Sequence, residues 1–240
     1  KKYYMKKILV TGGCGYKGSI LIPKLLDKGY YVVCLDTQWF GSYLEKSENL
    51  EIIKTDIRNF DSFNLENVYS IIHLANVAND PAVELNPTMS WEINVLAGQQ
   101  LIDKAVRENV KHFIFASSGS VYGVKSEDRV TEELSLVPIS TYNKTKMVAE
   151  RVFMSYSDKL KVHCIRPATV CGLSPRMRLD VAVNLLTFQA LSRNQITVLG
   201  GSQVRPNIHI EDITDLYLHL LSNMHSIPSG FYNAGFENIS

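Results

Sequence analysis

The stretch Thr11-Gly12-Gly13-Cys14-Gly15-Tyr16-Lys17-Gly18 decides the fold of this chain. It follows the short apolar run Ile8-Leu9-Val10. It precedes residues 19–28, where apolar side chains recur at helical spacing and Gly29 supplies a C-terminal stop. A strand that turns sharply into a helix points the helix's first amides at whatever sits beyond the turn. Glycines permit that turn, the close approach of a phosphate and tight helix–strand packing. The spacing of Gly12, Gly15 and Gly18 is GxxGxxG rather than GxGxxG, and glycine spacing alone is a weak signal. Its setting between strand and helix, with Asp36 placed 18 residues after Gly18, points to a dinucleotide.

Asp36 closes a second apolar run, residues 31–35. Its carboxylate can accept hydrogen bonds from both ribose hydroxyls, whereas a 2′-phosphate would meet like charge. No Arg or Lys follows in Asp36-Thr37-Gln38-Trp39, so NAD is favoured over NADP.

Working outward, strand and helix signals alternate. Strands are expected at residues 50–54, 70–74, 112–116 and 161–166, and helices at 88–108 and 141–157. Continuous apolar strands alternating with helices predict an α/β fold, a Rossmann-like doubly wound parallel sheet covered on both faces. Ligands of such sheets sit at the carboxyl ends of the strands, where Thr11, Asp36, Asp56, Ala75 and Ser117 fall. After Arg166 the pattern shortens, broken by Pro167, Gly172, Pro175, Gly200, Gly201 and Pro206. Residues 180–192 and 212–223 read as helices and 196–199 as extended. The expected division is an NAD-binding domain over residues 1–166. Residues 167–240 are then mainly a smaller substrate-binding lobe, with segments returning to the first domain.

The bulk numbers exclude several classes. With 240 residues, 45% hydrophobic, 20% charged and a net charge of +1, no global field draws the chain to nucleic acid or a membrane surface. No apolar run approaches the roughly 18 residues of a membrane span. The start, Lys1-Lys2-Tyr3-Tyr4-Met5, reads as leading straight into a strand without a secretory signal. Cys14, Cys34, Cys164 and Cys171 form no CxxC pair and read as buried free thiols. That reading fits a cytoplasmic setting and gives no metal site.

Two further motifs carry chemistry. In Tyr142-Asn143-Lys144-Thr145-Lys146 the tyrosine and the second lysine share a helix face. An ammonium beside a phenol lowers its pKa, and such a tyrosine can exchange a proton with a sugar hydroxyl while hydride moves to or from nicotinamide. A stray YxxxK is a surface helix face, but here it follows the fifth strand of a dinucleotide fold. Ser117-Ser118-Gly119-Ser120-Val121-Tyr122-Gly123 follows that strand directly. It would otherwise be an ordinary loop, yet a hydroxyl there can hydrogen-bond the reacting oxygen.

With these motifs in place, the chain resembles the extended short-chain dehydrogenase/reductase family, in particular its NAD-dependent nucleotide-sugar epimerases and dehydratases. The resemblance runs from Lys6 to about Ser240. It includes Asp56-Ile57-Arg58, His73-Leu74-Ala75, Glu92-Ile93-Asn94, Arg166-Pro167 and Arg205-Pro206-Asn207-Ile208-His209-Ile210-Glu211-Asp212. It implies that Gly12, Gly15, Tyr16, Gly18 and Asp36 bind NAD. Asp56 and Ile57 would lie at the adenine, Ala75 along the phosphate and ribose edge, Asn94 behind the active site and Pro167 at the nicotinamide amide. It implies Ser118, Tyr142 and Lys146 as the catalytic set, with Lys146 also on the nicotinamide ribose. Ser118, Thr169 and Arg205 would face the sugar nucleotide, Arg205 on its diphosphate.

Three departures qualify this. Gly119 and Ser120 stand where the 4,6-dehydratases carry an Asp-Glu pair, which disfavours dehydration. Thr169 replaces a frequent asparagine. Asn76-Val77-Ala78-Asn79-Asp80-Pro81 replaces a small-residue run, and its polar side chains either face a sugar or cap the next helix. Arg176 and Arg178 add two cations that read as a solvated loop able to assist a diphosphate. The resemblance implies more of the substrate lobe than residues 167–240 supply, so the lobe reads as incomplete.

The expected activity is NAD-dependent nucleotide-sugar epimerisation at C4 through a transient keto-sugar. The alternatives are a 4-dehydrogenase or 4-ketoreductase with net NAD(H) turnover and, further off, a 4,6-dehydratase or a non-catalytic NAD-binding protein. The resemblance also implies a homodimer in which residues 88–108 and 141–157 form a four-helix bundle. Trp91, Val95, Val148 and Phe153 would then stand either in its seam or in the core.

Overall fold

Strand β1 (Lys7–Thr11) lies inside the main sheet with Ile8, Leu9 and Val10 shielded on both faces. It belongs to a computed structural model that describes residues 5–239. Residues 1–4, read above as leading into the first strand, lie outside the described residues, as does Ser240. Around β1 run β2 (Tyr31–Asp36), β3 (Leu50–Lys54), β4 (Val68–His73), β5 (His112–Ala116), β6 (Lys161–Pro167) and, later in the chain, β9 (Gly230–Ala234). They form one parallel seven-stranded sheet in the order β3-β2-β1-β4-β5-β6-β9. The chain reverses its direction of growth at β1, between β2 and β4. Side chains alternate across the sheet. Leu9, Ile71, Phe113 and Phe115 face one core, and Ile8, Val10, Ile72 and Ile114 face the other.

The second core is closed by α1 (Gly18–Asp27) and α7 (Ile210–Asn223) through Leu21, Leu25, Ile213 and Tyr217. The first is closed by α4 (Gly98–Arg107) and α5 (Thr141–Met154) through Leu101, Ala105, Ala149 and Phe153. Between β4 and α4 lie the short helices α2 (Asp80–Leu85) and α3 (Pro87–Trp91). The single helix expected over residues 88–108 is interrupted by a π-helical stretch, Glu92–Ala97. Widening the helix there turns Asn94 fully inward, and π stretches inside helices recur at functional sites.

Beyond Pro167 a second sheet forms from β7 (Thr169–Cys171), β8 (Arg205–His209) and β10 (Glu237–Ile239), in the order β10-β8-β7. Between β7 and β8 lies α6 (Ala182–Arg193). Residues 196–199, expected to be extended, form no strand. They are exposed and have no sheet neighbour to supply backbone partners. Among the four residues expected at a bundle seam, Val95 and Phe153 are buried in the first core and Trp91 and Val148 pack against it. No helix among the described residues is long and apolar enough to cross a membrane.

Candidate active site

The dinucleotide cradle is built at the carboxyl ends of β1, β2 and β4. Gly12 has φ +70°, and a Cβ there would lie 2.6 Å from the amide nitrogen of Ala75, so only glycine lets the turn touch the β4 loop. Gly12 N donates to Leu35 O at 2.7 Å. Thr11 Oγ1 meets His73 Nδ1 at 2.7 Å and accepts from Ala75 N at 3.2 Å, tying the cradle to the His73-Leu74-Ala75 turn. A Cβ on Gly18 would collide with the Gly13 backbone, and one on Gly15 would press on Gly12 O at 3.2 Å. Among the described residues the backbone amides of Tyr16 and Lys17 have no protein acceptor. Free amides at the start of a helix, in a turn that excludes side chains, suit a diphosphate.

Asp36 stands at the tip of β2 with both oxygens oriented. Oδ2 accepts from Cys14 N at 3.0 Å and Oδ1 from Gln38 N at 2.6 Å. Each oxygen keeps a lone pair for a ribose hydroxyl. Asp56 is gripped by Arg58, whose Nε and Nη2 donate to its two oxygens at 3.0 and 2.9 Å. The Arg58 guanidinium holds the Asp56 carboxyl below the usual range. Arg58 Nη1 also donates to Glu92 Oε2 at 2.7 Å. Ile57 is buried in the first core. These residues fit NAD.

Asn94 stitches this edge to α5. Its Oδ1 accepts from Val77 N at 2.8 Å, and its Nδ2 donates to Val77 O and Thr145 Oγ1, both at 3.2 Å. All three partners are protein groups, so Asn94 supports the site and fixes the loop after Ala75. The polar run in that loop is also accounted for. Asn79, at φ +73°, accepts from Ala82 N at 2.9 Å and so caps α2, while its Nδ2 donates to Asp180 Oδ2 at 2.7 Å. Asp80 Oδ1 accepts from Ser140 Oγ at 2.6 Å, at the N-cap of α5. Asn76, with its amide oxygen turned to the cation, accepts from Lys146 Nζ at 3.2 Å.

Tyr142 and Lys146 do lie on one side of α5, but their electrostatics differ from the expectation. Lys146 Nζ donates to Ala116 O, at the end of β5, at 2.6 Å and sits 5.8 Å from the Tyr142 ring centroid. Burial therefore dominates Tyr142 and pushes its pKa up to about 12. Arg178 is the largest opposing influence, Asp80 adds to the rise and the nearby Ser118 hydroxyl lowers it. The expected lowering by Lys146 does not occur in this state, because its ammonium is engaged at β5. Burial, then repulsion from Lys17, drives the Lys146 pKa well below the ordinary lysine value.

Ser118 belongs to a small relay. Its Oγ lies 2.7 Å from Ser120 Oγ, which donates to Asn143 Oδ1 at 2.6 Å. A hydroxyl has one proton, so with Ser120 donating to Asn143, Ser118 is the donor in the Ser118–Ser120 contact. Ser117, beside it, is buried and its Oγ has no partner among the described residues. No carboxylate occupies Gly119 or Ser120. Pro167 ends β6, and a Cβ on Gly119 would touch its carbonyl at 3.2 Å, which fixes the serine turn against it.

The remaining site residues divide. The Tyr16 side chain points toward the loop after β7 and α6. Its hydroxyl donates to Gly172 O at 2.7 Å and accepts from Asn184 Nδ2 at 3.1 Å, leaving only its backbone amide for the cofactor. Thr169 is half-buried on β7, and Arg205 is exposed at the start of β8. Neither is among the groups that act on Tyr142. Two cations stand out instead. Arg178, read from sequence as a loop cation, is forked onto Asp180 at 3.0 and 2.5 Å, and its charge reaches both Tyr142 and Tyr16. Arg176 lies 3.9 Å over the Phe40 ring, bridging the loop after β2 to the loop after β7. A third cation, Lys17, stands inside the glycine turn itself, and a charged side chain at that place is the only sequence signal for it.

Comparison with known proteins agrees with this geometry. Residues 8–235 match the model of the NAD dependent epimerase/dehydratase family. The chain is 32% identical over 252 residues to an uncharacterized UDP-glucose epimerase of Bacillus subtilis, covering 98% of this chain and 78% of that one. Among solved structures it is similar to the UDP-glucuronic acid 4-epimerase of Bacillus cereus in complex with UDP-glucuronic acid and NAD. That match has 30% identity, a TM-score of 0.84, and covers 98% of this chain and 79% of the other. It is also similar to the UDP-N-acetylglucosamine 4-epimerase of Methanobrevibacter ruminantium M1, at 26% identity and TM-score 0.88, with coverages of 98% and 78%. A Rossmann-like parallel sheet, a glycine cradle that excludes side chains and a Tyr142/Lys146 helix at the end of β5 thus occur together in a chain that belongs to the NAD-dependent epimerase/dehydratase family.

Proposed function

We propose that the chain is a nucleotide-sugar 4-epimerase. The observation that carries this reading is the convergence of Ser118, Tyr142 and Lys146 at the carboxyl end of β5, with no carboxylate in the serine turn. Elimination of water would need an acid and a base beyond Tyr142, and Gly119 and Ser120 supply neither.

As the phenolate, its own proton lost to solvent once the site is loaded, Tyr142 Oη takes the proton of the sugar C4 hydroxyl, and Ser118 releases Ser120 to hydrogen-bond the same oxygen. NAD, when bound, supplies the acceptor for the C4 hydride and its return. The keto-sugar turns, and Tyr142 gives the proton back to the C4 oxygen once the opposite face is presented. Lys146 holds the nicotinamide ribose and supplies positive charge that favours the Tyr142 phenolate. Gly12, Gly15, Gly18 and the Tyr16 amide bind the diphosphate, Asp36 the adenosine ribose, Asp56 and Ile57 the adenine, and Ala75 and Pro167 the remaining edge. Thr169 and Arg205 face the sugar nucleotide from residues 167–240, the part of the chain read as the substrate lobe. The half-exposed Leu96, beside the buried Val95, leaves an apolar position on the helical face for a homodimer, which light scattering tests.

The test is a panel of UDP-, GDP-, CDP- and dTDP-sugars, read together for product configuration and nicotinamide absorbance. The reading predicts a C4-inverted product with no net NADH. Stoichiometric NADH release or consumption would replace it with a 4-dehydrogenase or ketoreductase. NADH binding with no turnover on any sugar would replace it with a non-catalytic binding protein.

A further inference from the structure

Lys17 breaks a local rule. It is the N-cap of α1, where the helix presents its positive end, and the first turn carries no acidic residue to offset it. Its Nζ lies 3.4 Å from Tyr217 Oη on α7 and 5.9 Å from that ring's centroid. Among the described residues it forms no ion pair. The charges that reach it, or that it reaches, are cations: Arg178 from the loop after β7 and Lys146 from α5. Tyr217 is fully buried, the Tyr142 charge acts on it and the Lys17 charge acts on Lys146, which puts the Lys17–Tyr217 pair within electrostatic range of Tyr142 and Lys146. An ammonium at a helix N-terminus, among other cations and without a carboxylate, is a cost to the ligand-free chain. An anion of the bound state offsets it.

We propose that Lys17 is a cofactor-binding residue of this chain, its ammonium serving as the counter-ion of the NAD diphosphate that the free amides of Tyr16 and Lys17 receive. The inference concerns cofactor binding alone and is tested without turnover. It stands or falls separately from the 4-epimerase reading.

Burial, then Arg178, brings the Lys17 pKa down to about 8 in the ligand-free protein. A bound diphosphate raises it. Above pH 8 binding must therefore take up a proton, and affinity declines as pH rises. Tyr217, Arg178 and Lys146 lie within reach of the group, and Lys146 and Cys14 are lowered as well. The informative quantity is the difference between wild type and Lys17→Met, which keeps all of them.

The experiment is fluorescence titration with NADH, and calorimetry with ADP-ribose and with UDP, from pH 7 to 9.5. Wild type, Lys17→Met, Lys17→Ile and Lys17→Arg are compared, each checked by thermal unfolding. The expected result at pH 7 is a loss of about 10- to 100-fold in affinity for NADH and for ADP-ribose in the Met and Ile variants, with Lys17→Arg within a few-fold of wild type. The pH-dependent decline should be steeper in wild type, and the melting temperature of the neutral variants should be equal or higher, which a merely structural lysine would not give. Unchanged NADH affinity in Lys17→Met overturns the proposal. A loss confined to UDP assigns the ammonium to a substrate diphosphate and also overturns it. So does a loss for NADH that ADP-ribose does not share.

Discussion

Arg166 and Glu150 are joined by two parallel hydrogen bonds, Nε to Oε1 at 2.9 Å and Nη2 to Oε2 at 2.8 Å, with side chains 1% and 0% exposed. Nη1 of the same arginine donates to Tyr122 Oη at 2.7 Å, and that hydroxyl donates to Asn233 Oδ1 at 2.7 Å. The network links β6, α5, the serine turn and β9 behind Tyr142. Removing one partner leaves a buried charge unpaired, which costs about 3–5 kcal/mol, whereas replacing both with apolar groups costs far less. Glu150→Leu is expected to lower the urea midpoint by that scale, and Arg166→Met combined with Glu150→Leu to recover much of it. A shift within about 0.5 kcal/mol for the single variant contradicts this reading.

Asp36 sets the choice between the two dinucleotides. Its oxygens are held by Cys14 N and Gln38 N so that any 2′-phosphate meets a carboxylate. NADH is expected to bind at least about 10-fold more tightly than NADPH, and Asp36→Ala to weaken NADH by about 10- to 100-fold while narrowing the gap. Fluorescence titration of both cofactors decides. Equal dissociation constants in wild type are the contrary result.

Three buried histidines make the fold acid-sensitive. Burial, then Lys146, pulls the His73 pKa down to about 3. Burial, then His163, does the same to His112, and His163 itself is lowered mainly by burial. His112 Nε2 and His163 Nδ1 share one hydrogen bond at 2.7 Å, and among the described residues His73 Nε2 and His112 Nδ1 have no acceptor for a second N–H. Between pH 6.5 and about 3 the unfolded chain binds more protons than the folded one. Stability is then complete above pH 6.5 and falls with decreasing pH, on the order of 1.4 kcal/mol per unit each for His73 and His112. Urea midpoints at pH 7.5, 6 and 5 should descend in that order. A flat series excludes the effect.

Strands β1, β2 and β5 were legible because parallel strands buried on both faces read as unbroken apolar runs closed by Gly12, Asp36 and Ser117. β8 was not, since Arg205-Pro206-Asn207 is polar and only Ile208 is buried in it. β7 and β10 are three residues each, too short for a period to show. The π stretch escaped because its inward turn of Asn94 depends on tertiary partners, Val77 and Thr145, that no local window contains. Ser118, Tyr142 and Lys146 were legible as residue types at a spacing. The rise of the Tyr142 pKa was not, because it depends on how deeply α5 packs and on where Lys146 finds its acceptor. Arg178 acts on Tyr142 across a fold distance that sequence spacing hides.

The central claim is that Tyr142 moves the proton at the sugar oxygen. In the ligand-free chain Lys146 is held on Ala116 O and Tyr142 is a neutral phenol, so the acid/base role requires that its hydroxyl ionise when cofactor and sugar are bound. The direct measurement is turnover of Tyr142→Phe on the best sugar nucleotide of the panel, with NADH affinity measured alongside. Turnover is expected to drop by at least ~100-fold while NADH affinity stays within a few-fold of wild type. Near-wild-type turnover in that variant contradicts the account.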